Sequence, residues 1–278
     1  MHPLIDKILL PLDRALTVNI IWRPIEATLI RFSRGLRRRR TRMQIEHLME
    51  KLRKQPEVRQ GRFAGMRYAA IEATCSAVIP KLLGTYESEL DSVFERVFAN
   101  AYEQVVDIGC AEGYYAIGLA LQFPGCHVYA FDTDFRAQEL CRKNARLNKV
   151  EDRVAVAGEV TAEKLADTIQ ERRCLIVCDC EGFERNLFNH KTVGEFYKSD
   201  LLIETHDFIR DGISKYLIGL FANTHQVQVL HSIDDLQKAH TYESDLASNL
   251  DFEAKQLAYA EGRPVIMEWL FLTPHLNI

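Results

Sequence analysis

The rhythm of hydrophobic positions changes about a third of the way along the chain. From Tyr102 onward, short apolar runs alternate with stretches of helical period, the pattern of parallel strands joined by crossover helices. Strands are expected at 104–109, 127–132, 153–157, 175–179 and 201–206, with helices beginning near Tyr114, Phe135, Thr161, Glu184 and Asp211. Two later strand-like runs, "QVQVLHSI" from Gln226 and "VIMEWLFLTP" from Val265, flank a polar stretch of helical character and predict an antiparallel edge hairpin. Ahead of Tyr102 the pattern is helical. Residues 4–32 read as one or two amphipathic helices, followed by the run Arg37-Arg38-Arg39-Arg40. A clearer helix comes next, with Ile45, Leu48, Met49 and Leu52 spaced as a single buried stripe. The expected fold is a doubly wound, Rossmann-like α/β sheet over 81–278, mostly parallel with an antiparallel last strand. A basic helical extension, 1–80, precedes it.

Composition agrees with a folded domain: of 278 residues, 47% are hydrophobic and 27% charged. Charge adds a division. Through Tyr68 there are 16 Lys and Arg against 6 Asp and Glu, a balance of +10 that leaves −14 on the remainder. The early apolar stretch is no membrane span, because Asp6, Lys7, Asp13, Arg14, Arg23 and Glu26 interrupt it, as do Pro11 and Pro24. The basic segment suits packing on the domain or on a second copy as a homodimer through the N-terminal helices. It also suits contact with a membrane surface. A nucleic-acid arm is disfavoured, since a charge run alone reports phosphate affinity and nothing further. Seven cysteines without a paired framework or a secretory signal fit a reducing cytoplasm, peripheral to the membrane in the surface-contact case. The pair Cys178 and Cys180 lies in an apolar run and suits core packing better than a metal.

Candidate chemistry centres on "VVDIGCAEGYYAIGLAL", Val105 to Leu121, where an apolar strand runs through Gly109-Cys-Ala-Glu-Gly113 directly into a helix. Ligands of open α/β sheets sit beyond the carboxyl ends of the strands, beside this first turn. Gly109 and Gly113 remove side chains where the backbone turns and approaches a ligand, and the helix N-terminus offers free N–H groups. The second strand ends in Asp132, about 20 positions beyond the glycine turn, the spacing of ribose recognition. The third delivers Glu159 to the adenine side, and the fourth delivers Asp179 and Glu181. A dinucleotide fold would carry G-x-G-x-x-G. Here Asp107 and Glu112 flank the turn, which would repel a pyrophosphate and suit the ammonium and sulfonium of S-adenosylmethionine.

With these segments located, the chain resembles the class I S-adenosylmethionine-dependent methyltransferases, and within them the FkbM family, over about residues 81–273. The markers are "GTYESEL" from Gly84, "VVDIGCAEG", "VYAFD", "CDCEGFE" and "LLIETHD"; the pattern Asp179, Glu181, Gly182, Glu184 is the most family-specific. The second strand departs from the family's usual Glu-Pro, because Phe131 precedes Asp132-Thr133-Asp134. The resemblance implies that Asp107, Gly109, Glu112 and Gly113 surround the methionyl part, Asp132 the ribose and Glu159 the adenine. Glu87, Cys110, Tyr114, Thr133, Val160 and Asp179 complete the implied cofactor set, and Glu181, Glu184 and Glu204 face the acceptor. Family acceptors are hydroxyl groups of sugars, glycolipids or secondary metabolites, so a small-molecule or glycan partner is expected.

Transfer to a hydroxyl needs a base. His206, ending the fifth strand, is the expected one, oriented by Asp207 or Asp179. Asp179, Glu181, Glu204, His206 and Asp207 could instead ligate a divalent ion, but no spacing forces such a site, and no metal ligand is assigned. An RNA-directed methyltransferase using the arginine run and a non-catalytic cofactor-binding partner protein are the alternative functions. Enzymes that methylate DNA amino groups carry Asn or Asp followed by two prolines and an aromatic, where this chain has Asp-Cys-Glu-Gly.

Overall fold

A computed structural model describes residues 23–73, 76–170 and 172–275. The reading of 4–22 as amphipathic helix lies outside the described residues. The helices are α1 (Arg23–Lys54), α2 (Val78–Leu83), α3 (Asp91–Phe98), α4 (Tyr114–Gln122), α5 (Phe135–Leu147), α6 (Ala162–Ile169), α7 (Glu184–Leu187), α8 (Ile213–Phe221), α9 (Asp235–Thr241) and α10 (Phe252–Tyr259). The strands are β1 (Gln104–Ile108), β2 (His127–Phe131), β3 (Val154–Ala157), β4 (Cys174–Cys178), β5 (Asp200–Thr205), β6 (His225–His231) and β7 (Glu268–Pro274).

The seven strands form one sheet in the order β3-β2-β1-β4-β5-β7-β6. The pairs from β3 through β5 are parallel, and β7 runs antiparallel to both neighbours. The expected late hairpin is therefore present, with its second strand inserted inside the first. Apolar content explains the order. Trp269 to Leu272 of β7 are buried, whereas β6 exposes alternate residues such as Gln226 and Gln228 and takes the edge. Every residue of β1, β4 and β5 is buried, as expected of central strands covered on both faces.

By internal contacts the chain divides into two units, Met1–His47 and Leu48–Ile278. The arginine run lies within α1, where the sequence suggested a break between helices. Pro24 falls in the first turn, where proline is tolerated, and arginine is a good helix former. The larger unit begins at Leu48, near the end of α1, and takes in the segment that follows that helix. Leu48, Leu52, Phe63, Met66 and Tyr68 are buried. Phe63 meets Phe94, Tyr114 and Tyr115 edge-on, and a side chain at Gly118 would collide with its ring at 2.5 Å. Asn144 and Asn148 of α5 receive the backbone N–H groups of Ala69 and Arg67, each at 2.8 Å.

Candidate active site

Strand register sets the site. Ile108 of β1 pairs with Phe131 of β2 and with Cys178 of β4, so Gly109, Asp132 and Asp179 emerge side by side at the carboxyl edge. The sheet order reverses here, since β1 lies between β2 and β4, and such a switch point opens a crevice. The backbone of Gly109 lies so close to β4 that a Cβ there would stand 1.6 Å from the Asp179 carbonyl oxygen. Its φ of 80° is also one that side chains disfavour. Ala111 adopts φ 48°, and its N–H donates to Asp132 Oδ2 at 2.8 Å. The N–H of Asp134 donates to Oδ1, also at 2.8 Å. Above this edge lies a cleft of about 560 Å³, within the size range of small-molecule sites.

Of the expected cofactor residues, Asp107, Gly109, Cys110, Tyr114, Asp132, Thr133, Glu159, Val160 and Asp179 line the cleft. Glu181, expected at the acceptor, lines it too. Asp107 is 2% exposed and its Oδ2 has no hydrogen-bond partner. Burial pushes its pKa up to about 8, against the pull of the Ala116 N–H, and the Asp179 and Asp132 carboxylates add to the rise. A buried acceptor without a donor is costly, and the primary ammonium of an amino-acid moiety would meet that need. The acidic wall and the glycine cradle fit S-adenosylmethionine.

Three other expected contacts lie elsewhere. Glu112 is fully buried and ion-paired with Lys81 at 2.6 Å, so its charge is neutralised inside the protein. It therefore does not repel an anion, as the sequence argument supposed; the acidic character of the cleft comes from Asp132, Glu159, Asp179 and Glu181. Gly113 caps α4 at φ 93°, and its bare Cα admits Cys141 and Ile117, which a Cβ would meet at 2.7 and 2.8 Å. Glu87 is buried beneath the cleft, bonded to the Tyr115 hydroxyl and to Arg263 at 2.6 Å. Burial raises its pKa against the opposing pull of Arg263.

Beyond the end of β5, His206 is 2% exposed and stands behind the cleft wall. Its Nδ1 lies 2.7 Å from Glu184 Oε1. Its Nε2 faces Asp179 at 3.4 Å and Glu181 at 3.5 Å. Burial lowers the imidazole pKa, but the Glu184 hydrogen bond and the Asp179 and Glu181 charges outweigh it, and the net shift is upward. The carboxylate that orients His206 is therefore Glu184, which is fully buried and cannot touch an acceptor. Asp207 does not orient it. Its carboxylate receives the N–H groups of Gly212 and Ser214 at 3.0 and 3.1 Å and caps α8. Glu204 pairs with Arg263, which the sequence reading did not single out. One ligand atom each from Asp179, Glu181 and His206 lie within 4.8 Å of one another and could hold a metal ion. Sequence reasoning also missed Lys81, Tyr86 and Phe183 in the cleft wall. Lys81 carried one signal, a lysine inside the apolar run "VIPKLL".

The model of the methyltransferase small domain matches residues 90–179. The glycine turn, Asp132, Glu159 and Asp179 fall inside the matched residues, and Glu184, Glu204 and His206 fall beyond them. A comparison with curated proteins finds no match. Among solved structures, the chain is similar to an O-methyltransferase from Bacillus cereus in complex with SAH. That match has 12% identity and TM-score 0.44, covering 67% of this chain and 80% of that one. It is also similar to an rRNA methylase from Streptococcus thermophilus, with 14% identity and TM-score 0.45, covering 67% and 96%. Likenesses of this depth assign neither substrate nor reaction. Among the described residues, no helix is long and apolar enough to cross a membrane.

Proposed function

We propose that this chain, a methyltransferase whose cofactor is S-adenosylmethionine, methylates a hydroxyl group on a sugar, glycolipid or secondary metabolite. The observation that carries the reading is the orphaned Asp107 carboxylate beside Asp132 and Asp179 within the methyltransferase domain. Asp107 would hold the ammonium. Asp132 keeps lone pairs for a ribose diol, because a carboxylate offers about four acceptor sites and the backbone takes two. Glu159 and Val160 would border the adenine. When bound, the cofactor supplies a methyl group on a cationic sulfur, which becomes a neutral thioether once oxygen has taken the methyl.

The residues at the other end deal with the proton. The acceptor hydroxyl hydrogen-bonds Asp179, which passes the proton to His206 Nε2 as the new carbon–oxygen bond forms. Glu184 holds the ring so that Nε2 points at the cleft and stabilises the imidazolium. Alignment supplies much of the remaining rate. The motif shared with the FkbM family supports hydroxyl acceptors. Phe183, Phe208 and Ile209 are 43%, 47% and 52% exposed beside this end, and they favour an acceptor with an apolar part.

One arrangement favours a second reading. A ligating histidine usually donates its other ring nitrogen to a carboxylate, as His206 does to Glu184, so Asp179, Glu181 and His206 could activate the hydroxyl through a divalent ion. A labelled methyl group followed from S-adenosylmethionine into a panel of alkyl and aryl glycosides separates the cases. His206→Asn is expected to keep cofactor affinity by calorimetry and to lose transfer about 100-fold or more. A chelator should leave the wild-type rate unchanged; loss restored by magnesium or manganese would move His206 from base to ligand. Unaltered cofactor binding in Asp107→Ala and Asp132→Ala would remove the cofactor assignment.

A further inference from the structure

Helix α1 carries an exposed apolar stripe. Ile25, Leu29, Phe32, Leu36 and Met43 follow one another at steps of four, three, four and seven residues. At 3.6 residues per turn these five fall within about 60° of the helix circumference. They are 43%, 61%, 65%, 51% and 59% exposed, and every residue from 25 to 40 is exposed. Seven arginines occupy positions 31 to 42 (Arg31, Arg34, Arg37, Arg38, Arg39, Arg40 and Arg42) with no acidic residue among them. Arg39 and Arg40 border the apolar stripe on its two sides; the others take the remaining circumference.

We propose that this stretch docks on an anionic lipid surface, its apolar stripe at the boundary of headgroups and acyl chains and its arginines on the headgroups. Charge complementarity selects this occupant. The same apolar steps would serve a coiled-coil seam with a second copy, but that register puts Arg39 in the seam. Arg40 and Arg42 would then stand at the flanking positions that normally carry opposite charges. Two such helices would face each other with seven arginines each, Arg42 being ion-paired with Glu46 at 2.8 Å. A nucleic acid would satisfy the arginines and leave five large apolar side chains in water. An anionic membrane surface accommodates both features at once. Long arginine side chains beside the stripe can lay their methylenes along it and keep the guanidinium at headgroup level.

Flotation of the full chain with vesicles of phosphatidylcholine plus phosphatidylglycerol, against phosphatidylcholine alone, tests this. Binding to the anionic vesicles should exceed binding to the neutral ones about tenfold or more, and should fall as salt is raised. The double variant Phe32→Ser, Leu36→Ser keeps every arginine. It should melt at the wild-type temperature, bind S-adenosylmethionine as the wild type does, and lose about tenfold or more of its vesicle binding. Equal binding to both vesicle types overturns the proposal, as does undiminished binding of the double variant. So does a solution dimer that the double variant dissociates in the absence of vesicles, or retention by an RNA oligonucleotide in preference to the anionic vesicles. Unchanged cofactor binding in the variant keeps each of these outcomes separate from the reading of the cleft.

Discussion

At Asp107, burial keeps a proton on a carboxyl up to about pH 8. An aspartate in an unfolded chain titrates near 3.9, so between those values the folded protein binds the extra proton. Its contribution to stability is complete below the unfolded pKa and is lost as pH rises through the folded one. Asp107→Asn keeps the shape and removes the titration. Free of cofactor, the variant should melt above the wild type at pH 8 and higher, with a flatter melting profile against pH. Its affinity for S-adenosylmethionine should drop about tenfold or more, because an amide cannot pair with the ammonium. Parallel melting profiles would show that Asp107 is already ionised in the free protein. The sequence located this residue correctly at the end of β1, but nothing local told that its second oxygen would be left without a donor.

Single elements show where local pattern speaks and where it is silent. The strand periods place β1 to β5 within a residue or two of their observed ends, since alternation and apolar runs are properties of adjacent residues. The junction of β5 and α8 was less legible. "ETHD" offers His206 and Asp207 next to each other, yet one turns inward to Glu184 and the other closes the helix. Asp207→Ala removes a cap and should cost about 1 kcal/mol of stability, read by urea denaturation, with kcat for methyl transfer within about twofold of wild type. A large fall in kcat at unchanged stability would return Asp207 to the chemistry. The segment between α1 and α2 has no strong period of its own, and contacts with residues far away in the chain, among them Asn144, Asn148 and the slot at Gly118, make it part of the core.

Across the molecule, Arg263 gathers distant pieces. It pairs with Glu87 ahead of β1, Glu204 of β5 and its near neighbour Glu261, at a site where all three carboxylates are buried. Burial lowers the arginine's pKa, but Glu87 and Glu204 more than compensate and hold it well above its ordinary value. Burial correspondingly raises Glu204. Arg263→Met would strand Glu87 and Glu204, while Glu261 keeps Lys238 at 2.6 Å, and should destabilise the fold by about 3–5 kcal/mol. The loss should deepen as pH rises and the acids are forced to ionise, and adding Glu87→Gln and Glu204→Gln should recover much of it. Urea titrations at two pH values measure both effects; a loss under about 1 kcal/mol would mean the acids are already neutral without the arginine.

The amino-acid sequence by itself determined the alternation of strands and helices, the glycine turn after β1 and the acidic residues that follow β2 and β4. Each of these depends on residues adjacent in the chain. Tertiary structure decided which acids face a ligand. Glu112 found Lys81, 31 positions away, and Glu87 found Arg263, 176 positions away. A charge's role depends on its nearest partner and on whether water reaches it, and both follow from packing between segments far apart in sequence.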